Sequence, residues 1–240
     1  MRRGVTAVLV NTLAVVAGSV FGLICRKGIP QRFRDAIMCA IGICTLFIGV
    51  QGALDGENVL VAIVSMVLGV SVGTLLNLDG ALERLGGLAE KVGGSRFGGL
   101  SDERGGIAQG MVTAFLLWCV GAMTIVGSIQ AGVAGSGEML YTKSVLDLIS
   151  SAVLASSLGV GVLLAAPLLL VWQGGLVLLA GLIEPLLTET MVNEITCVGS
   201  LAVIALGLNI LGITKLKVAD FLPAIVFAPF VSALFETLPL

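Results

Sequence analysis

The sequence predicts an all-α membrane protein, a polytopic bundle of about eight transmembrane helices. Its 240 residues are 57% hydrophobic and 12% charged, with a mean hydropathy of +1.11, whereas soluble domains carry about 25% charged residues. The stretch Val145–Ile183 contains one charged residue, Asp147. As a single helix this stretch would be about 58 Å long, roughly twice the hydrocarbon core of a bilayer. It must therefore fold back on itself inside the membrane.

Eight segments have the length that a bilayer requires. They cover about residues 5–25, 36–54, 58–78, 107–131, 145–165, 166–187, 195–213 and 219–238. The first apolar segment continues to Ile24 and ends at Arg26, so it is long enough to be a transmembrane helix rather than a cleaved signal peptide. The polar interval at about 79–104 predicts a cytoplasmic loop with one interfacial helix. We expect residues 1–240 to form a single integral membrane domain.

The basic residues test this span count, because cytoplasmic loops collect Lys and Arg. With eight spans, one side of the membrane carries Arg2, Arg3 and Lys143, and the other carries Arg26, Lys27, Arg32, Arg34, Arg84, Lys91, Arg96, Arg104, Lys215 and Lys217. If Val145–Ile183 were one span, Lys215 and Lys217 would change sides. The difference in the number of basic residues between the two sides of the membrane would then decrease. The pattern favours the fold-back and predicts that both termini lie outside the cytoplasm, although Arg2 and Arg3 argue weakly for the reverse.

Glycine spacing predicts where helices touch. A G-x-x-x-G pair puts two side-chain-free patches on one helix face, which lets another helix approach closely. Three such helix-packing pairs occur: Gly18 and Gly22, Gly69 and Gly73, and Gly106 and Gly110. Packing within one subunit and contact between two subunits of a homodimer both fit this spacing. A shift of 51 residues aligns the first two pairs, which is a hint of repeated helical hairpins.

Asp147 is the leading candidate for a functional residue, because acids embedded in a membrane are costly. Ser150, Ser151 and Ser157 continue its helix face at spacings of three and four residues, so this serine stripe could line a polar path. Serines that only form hydrogen bonds to the backbone of their own helix would have no functional role. Lys143 offers a second interpretation. Since Asp147 lies near the end of the predicted span, the two residues would form a simple ion pair at the membrane interface.

The fourth predicted span contains a second group of polar residues among weak helix formers. Gly121, Gly127 and Gly132 punctuate the segment from Cys119 onward, which places Thr124, Ser128 and Gln130 among weak helix formers. An unwound segment here would free backbone carbonyls to coordinate a solute or ion, as broken transporter helices do. Ordinary helix packing is the alternative. Asn209, which precedes the basic pair Lys215 and Lys217, completes the candidate substrate-binding set.

Several functional classes are disfavoured. The chain has no histidine, which excludes a His-based triad, general base or metal site, and it has no Walker-type phosphate-binding loop. Its net charge of −2 gives no basis for a nucleic-acid partner. We therefore expect no enzyme activity, catalytic residue, metal or cofactor. The five cysteines are typical of buried small apolar residues, and Glu184, Glu189 and Glu194 predict a solvated external loop.

Five segments carry a resemblance to a known family. They are Asn11–Gly18, Lys27–Pro30, Cys119–Ser128, Lys143–Asp147 and Gly207–Lys215. At these segments the chain resembles the YqgA/YdfK-like family of bacterial membrane proteins, classed as domain of unknown function 554. The resemblance covers essentially the whole chain and implies an integral membrane protein of bacterial type, loosely described as a transporter. It supplies no substrate and no catalytic residue, so no residue role is carried over.

The leading hypothesis is a secondary transporter or facilitator of a small polar solute or ion across the bacterial inner membrane. Its intramembrane site would form around Asp147, the serine stripe and the broken fourth helix. The partners expected are the lipid bilayer and a solute that the sequence does not identify. A scaffold or sensor that binds a partner protein through the loop at about 79–104 is the alternative from another class. An ion channel, which differs from a transporter only in rate, is a further alternative.

Overall fold

The computed structural model describes residues 2–26, 31–81, 84, 106–119 and 122–237. Across these residues the chain forms α-helices joined by short turns, with 3-10 turns at Glu184–Leu186 and Val218–Phe221 and no strand. The α-helices are α1 (Arg2–Arg26), α2 (Gln31–Ala53), α3 (Val59–Leu76), α4 (Gly106–Cys119), α5 (Ala122–Val133), α6 (Glu138–Leu158), α7 (Val160–Leu164), α8 (Ala166–Ile183), α9 (Glu189–Ile210) and α10 (Leu222–Thr237). The predicted all-α class is confirmed.

Most of these helices suit a membrane. Six of the described helical segments are long and apolar enough to cross a bilayer, and α4 and α5, which are bent by 61° relative to each other, would together make a seventh. Each predicted span corresponds to one of these segments or to α6, which has 21 residues. The prediction of about eight spans is therefore close to what the structure contains.

Helix α6 begins earlier than the apolar pattern predicts. The predicted span starts at about residue 145, whereas α6 starts at Glu138. Asp147 is consequently the tenth of 21 residues, nearer the middle of its helix than the predicted span places it. The reason is that Lys143 pairs with Asp147. Two charges that neutralise each other can lie inside a membrane helix that a hydropathy pattern would cut short.

The predicted fold-back occurs at Gly159. This residue separates α6 from the short helix α7 and has φ 78° and ψ −152°, a backbone conformation that glycine adopts without a steric penalty. The side-chain amide of Asn11 contacts both Asp147 of α6 and Gln173 of α8. In one straight helix these two residues would be about 39 Å apart. The chain therefore reverses direction between them.

The chain divides into two compact units. The first unit comprises Met1–Met38, Leu82–Cys119 and Met123–Glu184, and the second comprises Cys39–Ala81, Val120–Ala122 and Pro185–Leu240. The single membrane domain over residues 1–240 stays a prediction.

In the first unit, α1 contacts both arms of the fold-back. It runs parallel to α6, because Gly18 lies against Leu148 and Gly22 lies against Ala152. A Cβ on either glycine would collide with the backbone carbonyl of its neighbour, so these two positions allow a very close approach of the helices. Near the fold-back, Gly110 of α4 lies against Leu158, while Gly106 is the first residue of α4.

In the second unit, α9 packs antiparallel to α2, with Gly49 against Ile204 and Gly52 against Ser200. The glycine pair in α3 lies against the C-terminal part of the chain. Gly69 contacts Ala224 of α10, and Gly73 contacts Asp220 of the 3-10 turn before it. The three predicted glycine pairs thus have neighbours of their own chain at every member except Gly106, for which no neighbour is described. The homodimer stays a prediction. Apart from residues 79–81 and 84, the predicted loop at 79–104 lies outside the described residues.

Candidate functional site

Four polar side chains from three helices of the first unit meet near the middle of their helices. Asn11 lies in α1, Lys143 and Asp147 in α6, and Gln173 in α8. The Asn11 amide nitrogen donates to Asp147 Oδ2 and to Gln173 Oε1, both at 3.0 Å. The Lys143 ammonium donates to the same Asp147 oxygen at 2.5 Å. We call these four residues the polar centre.

The charge of Asp147 fixes the orientation of both amides. An ionised carboxylate only accepts hydrogen bonds, so Asn11 must turn its NH₂ group towards Asp147. The same NH₂ group then requires an acceptor from Gln173, which must present Oε1. The ion pair therefore positions two neutral side chains that belong to other helices.

This orientation leaves one acceptor and one donor of the polar centre without a protein partner. Asn11 Oδ1 and Gln173 Nε2 are buried and form no hydrogen bond with any described residue. Both residues are 0% exposed. An unsatisfied buried polar group costs about 1–3 kcal/mol, so each unpaired group calls for an explanation.

The polar centre carries no net charge. Lys143 and Asp147 are i and i+4 on one helix face, and each side chain is 7% exposed. They are the only charged residues in the stretches 4–25, 106–133 and 139–183 of the sequence. Within these stretches the first unit therefore holds one neutralised pair rather than a free charge.

The predicted serine stripe divides into bonded and unbonded members. Ser150 Oγ donates to the backbone carbonyl of Asp147 at 3.2 Å, and Ser151 Oγ donates to that of Leu148 at 2.9 Å. Ser157 is buried, and its hydroxyl has no hydrogen-bond partner among the described residues. Ser151 thus bonds the backbone of its own helix, the arrangement that gives a serine no functional role, whereas Ser150 also accepts a hydrogen bond from Trp118.

Hydrogen bonds link the bent pair α4 and α5 to α6 beside Asp147. Thr124 Oγ1 donates to the carbonyl of Trp118 at 2.6 Å, across the link between α4 and α5. Trp118 Nε1 donates in turn to Ser150 Oγ at 3.1 Å. A continuous chain of contacts therefore runs from Thr124 to the backbone of Asp147. Gly121 lies outside the described residues.

The other predicted site residues do not join this group. Ser128 is buried without a hydrogen-bond partner among the described residues, and Gln130 is exposed. Asn209 belongs to the second unit, where its side chain closes the turn after α9. Its Oδ1 accepts from Thr214 and from the backbone of Leu216, and its Nδ2 donates to the carbonyl of Leu216.

Sequence reasoning missed Asn11 and Gln173. Each is a strong polar residue near the middle of an apolar span. That signal alone would have marked both as candidates, because polar residues inside a membrane default to a functional hypothesis. From the sequence pattern, Lys143 is predicted only as an ion-pair partner of Asp147.

Glu194 is also misread by the sequence pattern. It was predicted to lie in a solvated external loop, but it is in α9 and is 0% exposed. Its Oε1 accepts from the backbone N–H groups of Glu57 at 2.9 Å and Asn58 at 2.7 Å. The carboxylate therefore binds the free N–H groups just before α3, where an anion is favourable.

Comparisons with known proteins give the family. The family model described as "Protein of unknown function (DUF554)" matches residues 6–233. An uncharacterized membrane protein of Bacillus subtilis (strain 168), YdfK, is 35% identical over 225 residues, which cover 92% of this chain and 93% of the relative. The uncharacterized protein YqgA of Escherichia coli (strain K12) is 29% identical over 224 residues, covering 93% and 94%. No solved structure matches. This multi-pass membrane protein belongs to the DUF554 family.

Proposed function

We propose that this protein is a secondary transporter or facilitator of a small polar solute or ion across the bacterial inner membrane, with the polar centre as its binding site. The observation that carries the proposal is the Asn11 amide, which joins Asp147 of α6 to Gln173 of α8. This one side chain gathers both arms of the fold-back around a polar site near the middle of the helices.

The energetics favour a binding site over a purely structural contact. A structural ion pair would need no more than Lys143 and Asp147, and its burial would already be costly. In this protein the Asn11 and Gln173 amides also take part, and each has one hydrogen-bonding group that is unpaired among the described residues. Such groups cost about 1–3 kcal/mol each when nothing binds them. A transported solute that satisfies them offsets this cost.

Two helix breaks supply elements that can move. The first is the fold-back at Gly159, which separates the two arms, and the second is the 61° bend between α4 and α5. Broken helices next to a binding site are typical of secondary transporters. The Thr124, Trp118 and Ser150 hydrogen bonds connect the second break to the helix that carries Asp147.

Flux measurements on purified protein in liposomes test the proposal. Asn11→Leu retains the Lys143 and Asp147 ion pair but disconnects Gln173, and we expect it to lower gradient-driven flux about tenfold or more. Asp147→Asn should do the same. The matched control is Glu138→Gln, the same kind of change at the exposed start of α6, which should leave flux intact. Gel filtration in detergent checks that each variant is folded.

The proposal fails if a broad panel of solutes and ions gives no protein-dependent flux, or if folded Asn11→Leu and Asp147→Asn both transport like the parent. Recordings from planar bilayers separate the channel alternative, which would give discrete voltage-driven currents. Recovery of one defined partner by crosslinking, unaffected by Asp147→Asn, would instead support the scaffold alternative. In keeping with a binding role, we assign no enzymatic reaction to the polar centre.

The orientation rests on the basic residues, which cytoplasmic loops collect. We propose that both termini lie outside the cytoplasm. Alkaline phosphatase fused to the C-terminus should be active in cells, and a fluorescent protein that folds only in the cytoplasm should be dark there. The opposite result would reverse the orientation without affecting the site.

A further inference from the structure

We propose that the polar centre selects a small solute of zero net charge that offers both a hydrogen-bond donor and a hydrogen-bond acceptor, such as an amide, a polyol or a zwitterion. This inference rests on the proposed transport function and narrows its substrate class. It follows from the two unpaired groups, the charge of the site and the distance between the groups.

The unpaired groups define the hydrogen bonds that the solute must make. Asn11 Oδ1 can only accept, and Gln173 Nε2 can only donate. A solute with acceptors alone would leave Asn11 Oδ1 unpaired, and one with donors alone would leave Gln173 Nε2 unpaired. Each failure would leave a buried group unsatisfied. A solute carrying both kinds of group satisfies the pair.

The charge of the site disfavours ions. A cation would have to displace the Lys143 ammonium, which is tethered one helical turn from Asp147 and donates to its Oδ2. An anion would meet the Asp147 carboxylate and the acceptor Asn11 Oδ1. In either case a net charge would be added to a membrane interior whose charges already cancel, and an uncompensated buried charge is costly. A neutral or zwitterionic solute adds no net charge.

Covalent geometry bounds the size of the solute. The Asn11 nitrogen is 3.0 Å from Gln173 Oε1. The nitrogen and oxygen of one amide are separated by two bonds, so the unpaired oxygen and nitrogen lie at most about 8 Å apart. A solute that touches both groups at once therefore needs only a few non-hydrogen atoms.

The test compares neutral solutes with ions in the same liposomes. The neutral probes are urea and glycerol, followed by stopped-flow light scattering, and labelled glycine and alanine, followed by uptake. The ionic probes are labelled sodium, rubidium and chloride. We expect flux of at least one neutral or zwitterionic probe to rise about tenfold over protein-free liposomes, and no ionic probe to respond.

Two variants link this selectivity to the polar centre. Gln173→Leu removes the unpaired donor and also the oxygen that accepts from Asn11, and it should abolish the neutral-solute flux. Because one buried unpaired group is deleted while one N–H group of Asn11 becomes unpaired, the free energy of unfolding should change little. Gln51→Leu, the same change at an exposed position of α2, should have no effect.

The outcomes are distinguishable. Ion flux without neutral-solute flux overturns this inference and leaves the proposed transport function standing. If neutral-solute flux survives Gln173→Leu, the assignment of Gln173 Nε2 as the donor that recognises the solute is wrong. Absence of flux for every probe, neutral and ionic, counts against transport itself.

Discussion

The two units of this protein treat their buried polar groups differently. In the first unit, the Asp147 carboxylate accepts from side chains, Lys143 and Asn11. In the second, Glu194 accepts from the backbone N–H groups of Glu57 and Asn58. Asp220 likewise accepts from the backbone of Asp79 at 3.0 Å, and its other oxygen accepts from the Thr74 hydroxyl at the longer distance of 3.4 Å. Backbone partners are fixed by the fold, whereas side-chain partners can exchange for a ligand.

The unsatisfied groups follow the same division. Nine buried side-chain N or O atoms lack a hydrogen-bond partner within the described parts of the chain. Seven belong to the first unit: Asn11, Ser19, Thr113, Ser128, Ser157, Trp172 and Gln173. Two belong to the second, Ser65 and Glu194. The comparison teaches that the first unit has the unused hydrogen-bonding capacity that a binding site needs, and that the second unit mainly anchors its helix ends.

Breaking the ion pair of the first unit should have the largest effect on stability. Lys143→Met leaves the Asp147 carboxylate buried without its cation, and we expect a loss of about 3–5 kcal/mol in the free energy of unfolding. The double variant Lys143→Met with Asp147→Leu removes both charges and should be much closer to the parent. Unfolding in mixed micelles measures both. Equal losses in the single and double variants would contradict the pairing.

Removing the Glu194 carboxylate, a buried acceptor of the second unit, should have a smaller effect on the free energy of unfolding. Glu194→Ala deprives two backbone N–H groups of a charged acceptor, and we expect a loss of about 2–3 kcal/mol in the same assay. Glu189→Ala, at the exposed start of α9, is the matched control and should cost much less. Solute flux per folded molecule should be unchanged in both. A selective loss of flux in Glu194→Ala would extend the functional site into the second unit.

The smallest expected effect concerns the link between α4 and α5. Thr124→Val keeps the shape of the side chain but deletes its hydrogen bond to the Trp118 carbonyl. We expect a loss of about 0.5–1.5 kcal/mol. The same substitution at Thr142, whose hydroxyl bonds its own helix at an exposed position, is the control. If Thr124→Val alters flux more than stability, the link takes part in transport.

Much of the helical architecture was predictable, and the reason is the bilayer. Because a membrane demands long apolar helices, composition gives the class and length gives the spans. The stretch Val145–Ile183 was too long for one span, and its reversal at Gly159 follows. The pairing of Lys143 with Asp147 was also accessible, since residues four apart share a helix face. The start of α6 was not, because the same two charges resemble the end of a span.

The sequence by itself determined the membrane class, the approximate spans, the fold-back and the i, i+4 ion pair. Only the tertiary structure decided that Asn11 and Gln173, 162 residues apart, converge on Asp147, and that Glu194 is buried. The physical reason is that lipid is as apolar as the protein core, so hydrophobicity does not mark the inward face of a helix. On α1, Leu13 is 65% exposed and Val15 is fully buried, although both are apolar. The spacing of Gly18 and Gly22 predicts one packing face of α1, but close packing decides that α6 lies against this face, and local sequence does not encode that choice of partner.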